Sequence, residues 1–158
     1  VALDVGSALI NHGAGDPAIC YSAVDKCYYL ACCGTAGSAA NTILIFSSPT
    51  IIGAAWLNVA DFHLIGNKTG GTVGGSLDSQ LEGPSIVTKS DGSMRCYFDA
   101  FGLSNGDIYY IDSTGAAGNS WASYSTAAKV IVASGTIRHG TVRRVHMTTA
   151  DYDMLTTG

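Results

Sequence analysis

Charge is scarce in this chain. Its 158 residues hold 8 Lys and Arg and 12 Asp and Glu, 13% charged in all, for a formal net charge of -4. A nucleic-acid binder needs a basic stripe to neutralise phosphates, and a protein docked on an anionic membrane needs the same, so neither partner is expected. The one basic cluster, Arg138 with Arg143 and Arg144, is too small to reverse the sign. So little charge also leaves no material for long helices with a solvated face. Long apolar runs are missing as well. No stretch approaches the roughly 20 residues that cross a bilayer as a helix, so membrane insertion is not expected, and no signal-peptide pattern opens the chain. The first residue is Val1, from which we expect a segment of a longer polypeptide.

Metal-ligand and redox spacings are also missing. Cys20, Cys27, Cys32, Cys33 and Cys96 make an odd count with no C-x-x-C, against both a disulfide framework and a zinc site. They read as reduced core thiols, which behave as small apolar side chains and fit cytosolic assembly. His12, His63 and His146 are scattered. Gly70–Gly75 lacks the Lys-Ser/Thr of a phosphate-binding loop, and no serine sits in a Gly-x-Ser-x-Gly elbow. Asn67-Lys68-Thr69 fits a glycosylation sequon, with no other sign of a glycosylating pathway.

What is present is a β pattern, written twice. Hydrophobic residues make up 47% of the chain and 20 glycines supply turns. Apolar residues alternate or run continuously, with β-branched and aromatic enrichment, as strands do. Pro17–Tyr21, Cys27–Cys33 and Thr42–Ser47 read as three strands, joined at Asp25-Lys26 and Gly34–Ala40 and followed by Trp56. Pro84–Lys89, Ser93–Asp99 and Asp107–Asp112 read as their counterparts, with a hairpin at Asp91-Gly92 and Trp121 beyond. Pro17 and Pro84 stand 67 positions apart, and Trp56 and Trp121 stand 65 apart. Gly66–Ser76 is the linker, and a third unit begins at Thr136. One short helix is expected at Thr148–Leu155, capped by Thr148.

The expected fold is all-β: antiparallel blade-like units at about 16–65, 82–132 and 136–158 of one β domain, forming part of a β-propeller. The alternative is a β-sandwich built on a duplicated hairpin pair. In a propeller, strand starts from different blades converge on a central channel. Asp16, in Asp16-Pro17, and Glu82, in Glu82-Gly83-Pro84, read as occupying the same place in the two copies and so as facing that channel. Two carboxylates in different environments can cleave a glycosidic bond, one protonating the leaving oxygen and one activating water or attacking. The plainer reading makes both of them turn formers. His139, in Arg138-His139-Gly140-Thr141-Val142, would join the ring as a donor to a sugar hydroxyl or as a support for a water or ion. Tyr97, Phe98, Phe101, Tyr124, Trp56 and Trp121 offer faces for sugar stacking, although the two tryptophans read better as structural plugs.

This order of motifs, Asp-Pro before a Tyr-Tyr strand, Glu-Gly-Pro before an Asp-Gly turn, then Arg-His-Gly-Thr-Val and Ala150-Asp151-Tyr152-Asp153, resembles the back part of the five-bladed β-propeller glycoside hydrolases of family 43. It spans Asp16 to Leu155. The resemblance implies action on arabinose-, xylose- or galactose-containing glycans. It assigns Glu82 as general acid, Asp16 as the residue that orients and tunes it, and His139 as the channel histidine. Arg138, Tyr97 and Phe101 would contact substrate. It requires no cofactor and leaves room for a divalent ion in the channel. The family's third carboxylate, the base, comes from an earlier blade. Asp4, the only acid before Asp16, lacks the Pro and aromatic strand that should follow it.

Two functions follow: hydrolysis of a polysaccharide, or non-catalytic grip on one by a segment of a viral tail fibre or tailspike. The second would put the protein outside the cell or on a virion surface. Its partners would be a carbohydrate, together with further copies or other parts of a longer chain that close the ring. A structural cap in a trimeric fibre is the plainest version.

Overall fold

The computed structural model describes residues 15–36, 39–52, 56–61, 81–100, 108–115, 118, 120–122 and 128–130. Among them are β1 (Gly15–Ser22), β2 (Cys27–Ala36), β3 (Ala39–Ser48), β4 (Leu57–Asp61), β5 (Leu81–Thr88), β6 (Met94–Ala100), β7 (Ile108–Asp112) and β8 (Ala128–Lys129). They build two antiparallel meanders of four strands, β1-β2-β3-β4 and β5-β6-β7-β8. The described residues contain no helix, so their fold is all-β, and their two sheets do not by themselves close a ring. The third unit, the helix at Thr148–Leu155 and the linker at Gly66–Ser76 fall outside the described residues.

The strands follow the apolar runs, and the turns follow the turn residues. Asp91 Oδ1 accepts hydrogen bonds from the Ser93 backbone N–H at 2.9 Å and from its hydroxyl at 2.6 Å, an Asx turn completed by Gly92 at φ 84°. In the first copy Lys26 takes the corresponding left-handed position at φ 54°. One expected turn is mostly strand: Gly34 pairs with Thr42 and Ala36 with Ala39. Small residues pair as readily as they turn, and here the flanking β2–β3 ladder extends through them.

The duplication is legible in the pairing. Ile19 opposes Leu30, and Leu30 opposes Phe46. In the second sheet Ile86 opposes Cys96, and Cys96 opposes Ile111. Each unit is closed by a buried tryptophan, Trp56 or Trp121.

Which faces meet is more informative. Tyr29, Ala31, Ile43 and Ile45 of the first sheet share a core with Ile86, Met94, Cys96, Phe98, Tyr109 and Ile111 of the second. On the other side of the first sheet, Leu30, Cys32, Leu44, Phe46 and Trp56 form a separate buried cluster. The counterparts of Leu30, Cys32, Leu44 and Phe46 in the second sheet are Cys96, Phe98, Tyr109 and Ile111, and those face the first sheet. The two units therefore meet front to back. Burial on both sides explains why Ile43, Leu44, Ile45 and Phe46, each 0% exposed, form an unbroken apolar run. Each such side chain contributes about 1.5–3 kcal/mol of burial.

At the seam, Gly83 N–H reaches the Asp16 carboxylate at 3.4 Å, and the Thr88 hydroxyl donates to the Tyr21 carbonyl at 3.2 Å. Both contacts join residues 67 apart. β1 and β5 thus lie side by side and run the same way, although they belong to different sheets. A second tie lies at the far end. Asp25 Oδ2 accepts from the Tyr29 hydroxyl at 2.7 Å and from Gly118 N–H at 3.3 Å, while Trp121 Nε1 donates to the Gly118 carbonyl at 2.8 Å.

Candidate functional site

The site is set by two bulges. In β1 the register with β2 shifts between Gly15 and Ala18, and in β5 the register with β6 shifts between Glu82 and Ser85. At each bulge the residue before proline is left-handed: Asp16 at φ 49° before Pro17, and Gly83 at φ 54° before Pro84. A bulge of this kind re-aims side chains at a strand start. Proline cannot donate to the ladder, so an interruption there sacrifices no hydrogen bond.

This geometry corrects one expectation. Asp16 and Glu82 do not occupy the same place in the repeat. By register and by φ the counterpart of Asp16 is Gly83, and the counterpart of Glu82 is Gly15. Matching acid to acid and proline to proline hid a slip of one residue, because Gly15-Asp16-Pro17 and Glu82-Gly83-Pro84 place glycine and acid in opposite order.

The two acids are nevertheless neighbours. Asp16 holds the backbone amide of Gly83, the residue after Glu82. Cys33, buried on β2, donates its thiol to the Leu81 carbonyl at 3.3 Å, the residue before Glu82. Burial, followed by the negative charges of Glu82 and Asp16, pushes the Cys33 thiol up to about 11. Both carboxylates therefore act on one sulfur at the seam between the units. Cys33 stays a neutral thiol there, a hydrogen-bond donor and no nucleophile.

A further carboxylate, unmarked in the sequence, stands beside them. Asp99 on β6 is 0% exposed and directly opposes Glu82 in the β5–β6 register. Opposed residues of an antiparallel pair share a face, with Cβ atoms about 4.5–5.5 Å apart. Its neighbours in sequence, Phe98 and Ala100, read as ordinary strand. The available sign was the β5–β6 hairpin, whose register from Asp91-Gly92 brings Asp99 back towards Glu82.

Tyr97 lies two residues before Asp99, on the same face of β6, half-buried, with its ring 5.9 Å from Tyr110. Phe98, expected to stack on sugar, points instead into the core between the sheets at 0% exposed, because strand alternation sets it opposite Tyr97. Trp56 and Trp121 are likewise buried plugs. Arg138, His139, Phe101 and Tyr124 lie outside the described residues.

At the other end of the second sheet, Asp112 is taken by cations. Arg95 Nε and Nη2 reach its two oxygens at 2.6 and 2.8 Å, and Lys89 Nζ lies at 3.3 Å. The Arg95 hydrogen bonds, supported by Lys89, hold the Asp112 carboxyl below the usual carboxylate range. Arg95 also lies over the Tyr110 ring at 3.8 Å. This cluster is a structural ion pair remote from the strand starts. Among the described residues no group of three or more His, Cys, Asp or Glu is placed to hold a metal ion.

The chain matches no protein-family model, no curated protein and no solved structure.

Proposed function

We propose that this chain is part of a β-propeller that cleaves a glycan, with Glu82 as the proton donor to the leaving oxygen. The observation that carries the reading is that the Asp16 carboxylate, at the start of β1, holds the backbone amide next to Glu82, at the start of β5, on two neighbouring strands that run the same way. Channel-lining strands of successive blades have that relationship. A two-fold sandwich would bring the same face of each unit together, whereas these units meet front to back and the first sheet is buried on both sides. Both features favour blades over a sandwich.

In the proposed reaction the Glu82 carboxyl gives its proton to the glycosidic oxygen as the bond to the anomeric carbon breaks. Water attacks that carbon from the opposite side and loses its proton to a second carboxylate, with inversion. Asp16, fixed on Gly83 N–H, steadies the turn that aims Glu82. Arabinose-, xylose- and galactose-containing glycans are the substrate class to try first.

One observation favours a second reading, grip without cleavage. Asp16 is already engaged with a backbone amide, which suits a clamp as well as it suits a tuner of an acid. Glu82→Gln separates the two. If Glu82 is the acid, cleavage of an oligosaccharide falls by about 10²–10⁴-fold, while the same oligosaccharide still binds in calorimetry. A wild-type protein that binds the glycan and never cuts it supports the grip. One that neither binds nor cuts refutes both readings.

A further inference from the structure

The two units share a design but differ at one cross-strand pair. In the first sheet Gly15 opposes Cys33, and at the matching place in the second sheet Glu82 opposes Asp99. Both members have become carboxylates. Two carboxyl side chains facing each other on one ladder, one of them 0% exposed, are not what strand pairing alone selects. Folding does not require either residue, since the first sheet builds the same bulge and the same pairing with a glycine and a thiol. In the first sheet the side chain at this position reaches the strand start of the next sheet: Cys33 Sγ touches the carbonyl of Leu81 on β5, next to Glu82. An acidic pair at a place where the fold accepts a glycine and a thiol is the pattern of a functional site.

We infer that Asp99 is a positioning residue for Glu82: a buried carboxylate that fixes the Glu82 carboxyl in the orientation from which it delivers its proton. The inference rests on the glycan-cleaving reading above. It supplies that reading with a second acidic partner from the same blade, where the sequence pointed only to Asp16. Tyr97, two residues before Asp99 on the same face of β6, then marks where the sugar beyond the cleaved bond would lie.

Leaving-group chemistry tests this without confusing orientation with folding. An oligosaccharide leaves as a poor leaving group and depends on the acid, whereas a dinitrophenyl glycoside departs with little help from it. With Asp99→Asn, kcat on the oligosaccharide should fall about 10–100-fold, the cost of misplacing a catalytic group by about 1 Å. KM should be unchanged, and the rate on the dinitrophenyl glycoside of the same sugar should stay within about 3-fold of wild type. Glu82→Gln should show the same selectivity with a larger loss. Asp99→Cys, which installs the residue the first sheet carries at this place, is the second variant should the amide fail to fold, and it should behave alike. Equal losses on both substrates, or none on either, would make Asp99 structural and overturn the inference while leaving the glycan reading in place. A wild type that cuts neither substrate would overturn the glycan reading, and the inference with it.

Discussion

At Gly118 the two units pack with no room for a side chain, and replacing it with alanine tests how rigidly they are joined. A Cβ built there would lie 2.6 and 2.8 Å from Tyr29 Cε1 and Cζ and would also run into Met94 Sδ. Carbon atoms in contact prefer about 3.5–4.0 Å, so the Tyr29 ring must retreat by roughly 1 Å. Tyr29 is 3% exposed and Met94 0%, so neither has open space to enter. The ring is also tethered through its hydroxyl to Asp25 at 2.7 Å. Overpacking costs about 1–3 kcal/mol, and losing the tether adds about 1 kcal/mol. Gly118→Ala should therefore destabilise by about 2–4 kcal/mol. For a domain of this size that lowers Tm by roughly 5–15 °C. Urea titration should show a lower midpoint with an unchanged slope, the sign of a stability change without a change in compactness. Tyr29→Phe removes the tether, so adding Gly118→Ala to that background should cost about 1 kcal/mol less than in wild type. A Gly118→Ala protein melting within about 1 °C of wild type would show that the units are not locked at this point.

Two further outcomes follow from the ionisable groups. The Asp112 carboxyl is lowered by Arg95 and Lys89, so its contribution is full above the unfolded value of about 3.9 and disappears as pH falls through the lower folded value. Asp112→Asn should cost about 1 kcal/mol at neutral pH and nothing at the acid end, giving a flatter urea midpoint against pH; parallel curves would refute this. Among the thiols, burial pushes Cys32 to about 12 and Cys20 to about 11, and it raises Cys96 as well. With Cys33 also near 11, an aromatic disulfide reagent at pH 8 should label these four only as the protein unfolds. Fast labelling of two or more thiols in the native protein would contradict the burial described here.

The sequence carried much of this architecture because strands and hairpins are local. The run Ile43–Phe46, the Asp91-Gly92 turn and the recurrence of Pro and Trp each name a piece of structure through side-chain period or backbone freedom. β4 and β8 escaped notice because Leu57–Asp61 and Ala128–Lys129 are short edge strands whose pairing depends on a neighbour already in place. Phe98 was misjudged as a sugar platform because aromatic character does not reveal a strand's face; only the register against β7 does. The candidate site was half legible. Glu82 and Asp16 are conspicuous beside their prolines, but the one-residue slip between the copies appears only in the bulges and in the left-handed residues. Asp99 could be found only by folding the hairpin, since its importance lies in what stands across from it.

Because β1 and β5 share a direction, the two described sheets have two unlike rims. Both proline bulges, with Asp16, Glu82 and Asp99, lie on one; the Asp25 and Asp91 hairpins and the Asp112 ion pair lie on the other. Eight residues of strand separate the rims, roughly 25 Å. Anything fastened to the hairpin rim, for instance through a thiol introduced at the exposed Ala23 or Ser90, leaves the bulge rim turned towards solution. A tethered sample would meet a large polymer with the bulge rim foremost, and one fastened at the bulges would present the hairpins and the Asp112 ion pair.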